Sequence, residues 1–114
     1  MSILEELQSI AKRLNIRSFT AEFPEKAPNE YAVFIPLNDG FDVHADNIPN
    51  AEIQEVRISL FAKGNYTALK NKVSMALIAN DITITDRRYI EYEHDTGYHH
   101  YAIDVAKNYE LEGF

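Results

Sequence analysis

The chain has no cysteine and no tryptophan, and only four glycines and four prolines. Without cysteine there can be no disulfide framework, no thiolate metal site and no thiol nucleophile. So few glycines leave no glycine-rich phosphate loop, and no serine sits in a Gly-x-Ser-x-Gly elbow, so nucleotide-binding, kinase and hydrolase readings find no support. No stretch approaches the ~20 apolar residues that a membrane span needs. The start, Met1 to Leu7, lacks the basic beginning and uninterrupted apolar run of a signal peptide. A soluble protein with no membrane partner is expected. Basic residues are also scarce, 11 against 18 acidic ones, for a formal net charge of −7. Gripping a phosphate backbone takes clustered Lys and Arg, and the adjacent pair Arg87-Arg88 is flanked by Asp86 and Glu91. Specific nucleic-acid binding is therefore not expected, although an acidic lining would let DNA slide past without sticking.

What is present fits one domain. A chain of 114 residues and 13.1 kDa can build a single core. With 46% hydrophobic and 25% charged residues it has the composition of a globular protein. The expected domain covers residues 1–114, with 1–2 and 110–114 frayed. Ile3, Leu4, Leu7, Ile10, Ala11 and Leu14 recur at helical spacing, behind a capping-box pattern of Ser2 and Glu5. Residues 17–23 read as a short edge strand stopped by Pro24 and Pro28, and Tyr31 to Leu37 as a stronger strand ending in a turn. A polar loop follows, with a short strand possible from Phe41 to Ala45. The cleanest alternation comes next: Val56, Ile58, Leu60 and Ala62 share one face, which leaves Phe61 on the wetter one as a contact candidate. Asn65 is placed to cap a second helix running to about residue 80, with Tyr66, Leu69, Val73, Ala76 and Leu77 on one side.

The last third reads as a long β-hairpin. With Thr96-Gly97 as a two-residue turn, His94 faces His99, Tyr92 faces Tyr101 and Ile90 faces Ile103. The fold class expected from all this is α+β: a mixed, mainly antiparallel sheet of about four to six strands, with two helices on one face. Glu93, His94, Asp95, His99 and His100 gather at the hairpin tip. Imidazoles and carboxylates are the ligand set for zinc, so a facing His94 and His99 are the weak metal candidates, but no third ligand is fixed by spacing. A turn tip also offers no desolvated pocket to tune a general acid or base. No catalytic residue, cofactor or metal is assigned, and no enzymatic activity is expected.

Several segments carry a family resemblance: Tyr-x-Val-Phe-x-Pro-Leu from Tyr31 to Leu37, Ala45-Asp-Asn-x-Pro49, Ile-x-x-Val-x-Ile-x-Leu from Ile53 to Leu60, the helix opening at Tyr66, and Asp95 to Tyr101 leading into Ile103 and Val105. In this order, over about residues 3–109, they resemble the tail terminator and head-to-tail joining proteins of long-tailed bacteriophages, a family with relatives described as minor tail or minor capsid components. The resemblance implies a prophage-encoded, non-enzymatic subunit, made in the bacterial cytoplasm and assembled into the virion. There it would form a homo-oligomeric ring, typically a hexamer, at the head–tail junction, touching the tail tube and the head connector. Ring closure needs heterologous contacts, and the candidates are Asp39, Phe41, Val43, His44, Asp46 and Asn47 in the loop, Phe61 on the sheet, and Tyr98 and His99 at the tip. A minor capsid role, or an accessory adaptor that captures an extended peptide on a sheet edge, is the alternative.

Overall fold

The Ser2 hydroxyl accepts a hydrogen bond from the Glu5 amide while the Glu5 carboxylate accepts one from the Ser2 amide, so the expected capping box opens helix α1, Ile3–Arg13. The computed structural model describes residues 2–43 and 49–110. After α1 come β1 (Arg17–Thr20), β2 (Glu30–Val43), β3 (Pro49–Ala62), α2 (Tyr66–Ala79), β4 (Thr83–Glu93) and β5 (Tyr98–Glu110). The fold is α+β, with one mixed five-stranded sheet in the order β1-β2-β3-β5-β4. β1 runs parallel to β2, and the other neighbours are antiparallel.

Both helices end in the same way. Beyond α1, Asn15 takes φ 62° and the Ile16 amide donates to the Ala11 carbonyl at 2.9 Å. Beyond α2, Asp81 takes φ 59° and the Ile82 amide donates to the Leu77 carbonyl at 3.0 Å. These are Schellman closures built on non-glycine residues, each followed by a buried isoleucine that turns the chain into a strand. Both helices cover one face of the sheet, where Ile3, Leu7, Ile10, Leu69, Val73 and Leu77 meet Phe34, Val56, Ile58, Leu60, Ile103 and Val105. Each such aliphatic side chain contributes about 1.5–3 kcal/mol by leaving water.

Three expectations need correction. First, β2 does not stop at a turn after Pro36. Leu37 is extruded as a bulge, and pairing with β3 resumes at Asn38↔Glu55 and continues to Val43↔Pro49. Pro36 has no amide to offer the ladder, and a bulge is where a strand tolerates that loss. The stretch read as a polar loop is thus largely strand, paired with β3, which β5 flanks on its other side as far as Ala51↔Glu110, although residues 44–48 lie outside the described set.

Second, Phe61 is not on a wet surface. It lies on the face away from the helices but is only 2% exposed. The nine residues between β1 and β2 must recross the sheet to bring these strands parallel, and they pass over Phe61. Phe23 meets it edge-on at 5.8 Å, and the Tyr98 hydroxyl donates to the Pro28 carbonyl. A second, smaller core of Tyr31, Val33, Phe61 and Tyr98 results.

Third, the β4–β5 register differs from the expected one. Glu93 pairs with Tyr98 and Tyr92 with His99, around the four-residue turn His94–Gly97. A two-residue type I′ turn would need positive φ at Thr96, a costly state for a β-branched residue. Instead Gly97 alone takes it, at φ 81°, and donates its amide to the Glu93 carbonyl at 2.7 Å. Two bulges, at Thr85 and Ile90, then return Ile84, Arg87, Tyr89 and Tyr92 to the helix-covered side, opposite Val105, Ile103, Tyr101 and His99.

Candidate interaction surface

β4 is the outer strand of the sheet, and nine of its eleven residues are exposed, as the burial pattern from Thr83 to Glu93 shows. Among them are three large side chains, Tyr89, Ile90 and Tyr92. α2 lies beside them: Arg87 of β4 donates to the Ser74 hydroxyl at 3.2 Å, and Ile78 is one helical turn beyond Ser74. Ile78 is 59% exposed and Met75 66%, so α2 has exposed apolar side chains of its own besides the strip of Tyr89, Ile90 and Tyr92 on β4. Sequence reasoning missed this strip because it placed Ile90 and Tyr92 inside a hairpin face. The signal that could have found it is the pair of chain positions, 85 and 90, at which strict alternation fails.

The tip of the sheet holds an aromatic cluster. The Tyr89 hydroxyl meets the His99 Nδ1 at 2.9 Å, and the His99 ring also lies 4.8 Å from Tyr92 and 5.0 Å from Tyr66. Lys70 and Lys63 stand over the rings of Tyr101 and Tyr98 at 5.2 and 5.0 Å. The expected facing of His94 and His99 is not found: His94 belongs to the turn and packs against Tyr92 at 5.0 Å. Among the described residues no three His, Asp or Glu side chains gather around a common point. The concavity at the tip is walled by the end of β4 and the turn, Glu91 to Thr96.

His100 points to the opposite face, where it stacks on Phe61 at 4.4 Å with its Nε2 buried and unpartnered. Burial pushes its pKa down and Arg57 adds to this, while Glu93 and Glu91 pull the other way. Burial likewise pushes the Tyr31 hydroxyl up to about 12, helped by Tyr98 and Glu93. On the same face Arg57 holds Asp104 in a two-pronged pair at 2.8 and 3.1 Å. At the other end of β5, the Glu6 carboxylate accepts from Tyr109 and from Lys107, tying α1 to the sheet. Burial alone would raise the Glu6 pKa, but these two donors hold it below the ordinary carboxylate value.

The remaining sequence candidates are scattered. Asp39 is exposed on β2 opposite Gln54, and Phe41 and Val43 continue that strand with side chains outside the described set. His44, Asp46 and Asn47 lie outside the described residues. Tyr98 is 4% exposed and serves the second core. Of the interface candidates, only Asp39 and the half-buried His99 are thus left with an accessible described side chain, and they belong to opposite ends of the sheet. No protein-family model and no curated protein matches this chain.

Proposed function

We propose that this is a non-enzymatic structural subunit that assembles with copies of itself, as a ring at the head–tail junction of a bacteriophage, capping the tail tube or joining it to the head connector. The observation that carries the reading is the β2–β3 ribbon. These strands run 14 residues each, and their pairing reaches Val43↔Pro49, past Gln54, whose side chain receives the Ile3 amide at the start of α1. Past Phe34, where its pairing with β1 ends, β2 has an open outer edge among the described residues, and such an edge presents backbone groups to a neighbour. The family resemblance of the sequence and the exposed apolar side chains of β4 support the same reading.

The test is electron microscopy of lysates from a host or prophage lacking the gene, beside a complemented control. Full heads lying apart from tails, or tails of abnormal length, are expected. Normal infectious particles would overturn the assignment. A second reading, an accessory adaptor that takes an extended peptide on a sheet edge, draws on the exposed outer edge of β4. Normal particles together with capture of a bacterial partner would favour it.

A further inference from the structure

With neither tryptophan nor cysteine in the chain, its seven tyrosines are the side chains that give up a single electron most readily. A phenol that loses an electron becomes a very strong acid, so the electron leaves easily where a base takes the proton in the same step. The seven are not equal in this respect. Lys63, Lys70 and Lys107 stand over the rings of Tyr98, Tyr101 and Tyr109 at 5.0, 5.2 and 5.8 Å, and each ammonium opposes the positive charge that oxidation creates. The Tyr98 hydroxyl donates to the Pro28 carbonyl, which is no base. Among the described residues, only the hydroxyls of Tyr89 and Tyr109 meet an imidazole or a carboxylate. The partner of Tyr109 is Glu6, and a carboxylate is a weaker base than an imidazole.

Tyr89 has the better partner. Its hydroxyl lies 2.9 Å from the Nδ1 of His99, and no described cation stands over its ring. His99 is itself held between the rings of Tyr66, at 5.0 Å, and Tyr92, at 4.8 Å. We infer that Tyr89 is the site at which one-electron oxidation of this chain settles, with His99 as the base that takes its proton. In that step the O–H bond of Tyr89 breaks, an N–H bond forms at His99 Nδ1, and the electron passes to a one-electron oxidant such as a high-valent metal complex. A neutral phenoxyl radical and an imidazolium remain. When two such radicals on two molecules meet, they join through one ring carbon of each, and the displaced ring hydrogens move to the oxygens, leaving a stable dityrosine.

Tyr92 is the built-in control. It shares the strand and the helix-covered side with Tyr89 and is equally exposed, 41% against 42%, but its hydroxyl has no such base among the described residues. Exposure would oxidise the two alike, and the imidazole separates them. The inference is independent of the head–tail assignment, which concerns where the protein acts.

The test is flash photolysis of the full chain, with tris(bipyridine)ruthenium(III) as the oxidant and the absorbance of the tyrosyl radical as the signal, in ordinary and in heavy water. The wild type is expected to show a fast phase that slows in heavy water. Tyr89→Phe should abolish that phase, and Tyr92→Phe should leave it. His99→Phe keeps a ring in the cluster and removes the base, and should slow the phase by about 100-fold, the low end of what a positioned base contributes. Circular dichroism with thermal melting checks that each variant folds, and peptide mass spectrometry should place the dityrosine of the wild type on Tyr89. A fast phase that survives Tyr89→Phe would overturn the inference, as would cross-links shared equally between Tyr89 and Tyr92. So would a wild-type rate that is the same in both waters, a result that needs no variant to fold.

Discussion

Phe61 of β3 lies between two rings of neighbouring strands, stacked on Tyr31 at 4.7 Å and on His100 at 4.4 Å. The three residues are direct partners in the ladder, so β2, β3 and β5 are bound through side chains as well as backbone. Truncation with Phe61→Ala should cost about 3–5 kcal/mol, the range for a buried aromatic, read as a fall in the midpoint of urea unfolding. A loss below about 1 kcal/mol would mean that the 21–29 segment collapses into the gap or does not cover this face in solution.

The unpartnered His100 imidazole gives folding a pH dependence with a definite sign. Its pKa in the folded protein lies below the ordinary value of 6.5. The unfolded chain therefore takes up the proton first, and stability should be full above about pH 6.5 and decline as pH falls toward the folded pKa. His100→Phe keeps the stack on Phe61 and removes the titration. It should flatten the pH profile between neutral and mildly acid solution and, by removing an unsatisfied buried nitrogen, add on the order of 1 kcal/mol at the acid end. An unchanged slope in thermal melts across that range would count against the assignment.

The link between α1 and β5 is testable by removing one oxygen. Tyr109→Phe deletes a hydrogen bond to the Glu6 carboxylate while Lys107 stays at 2.9 Å. The expected loss is about 1.5–3 kcal/mol, as for a bond to a charged group. The Glu6 pKa should rise at the same time, which NMR titration of the side-chain carboxyl would follow. Because that pKa is depressed in the folded state, the stability it supplies is present above the ordinary carboxylate value and is lost as pH falls through the folded one.

Asp81→Gly should be neutral or stabilising by up to about 1 kcal/mol, because Asp81 holds φ 59° without glycine's freedom. Chemical denaturation of the single variant checks it, and a marked loss would mean that the Asp81 side chain does something besides closing α2.

Removing residues 40–48 shortens the ribbon without touching the helix-covered core. The protein should remain folded by circular dichroism but no longer assemble into particles in a complementation assay. A deletion that assembles normally would show that the ribbon is not a contact surface.

Much of this architecture is legible along the chain. Ser2 with Glu5 and Asn65 mark where helices start, and the alternation from Val56 to Ala62 marks the buried face of β3, because these signals lie within a few residues of what they specify. The failures share a cause, dependence on partners far away in sequence. Pro36 looks like a terminator until the pairing of Asn38 with Glu55 is known. Phe61 looks exposed until the 21–29 crossing is in place above it. Ile90 and Tyr92 look like one regular face until a bulge at 90 separates them and sets Tyr89 on the side of Tyr92.

The insertion of β5 between β3 and β4 has a consequence for how the chain acquires its structure. β4 is made first but has no seat on the sheet until residues 98–110 arrive to bridge it to β3. Contacts such as Lys107 with Glu6, 101 positions apart, close still larger loops. Helices and the β2–β3 pair can form early, but the cooperative step must wait for β5, so folding should be slow for a domain of this size. During synthesis, at roughly 5–20 residues per second, β4 would stand unpaired for about a second or more, an interval in which a chaperone could act.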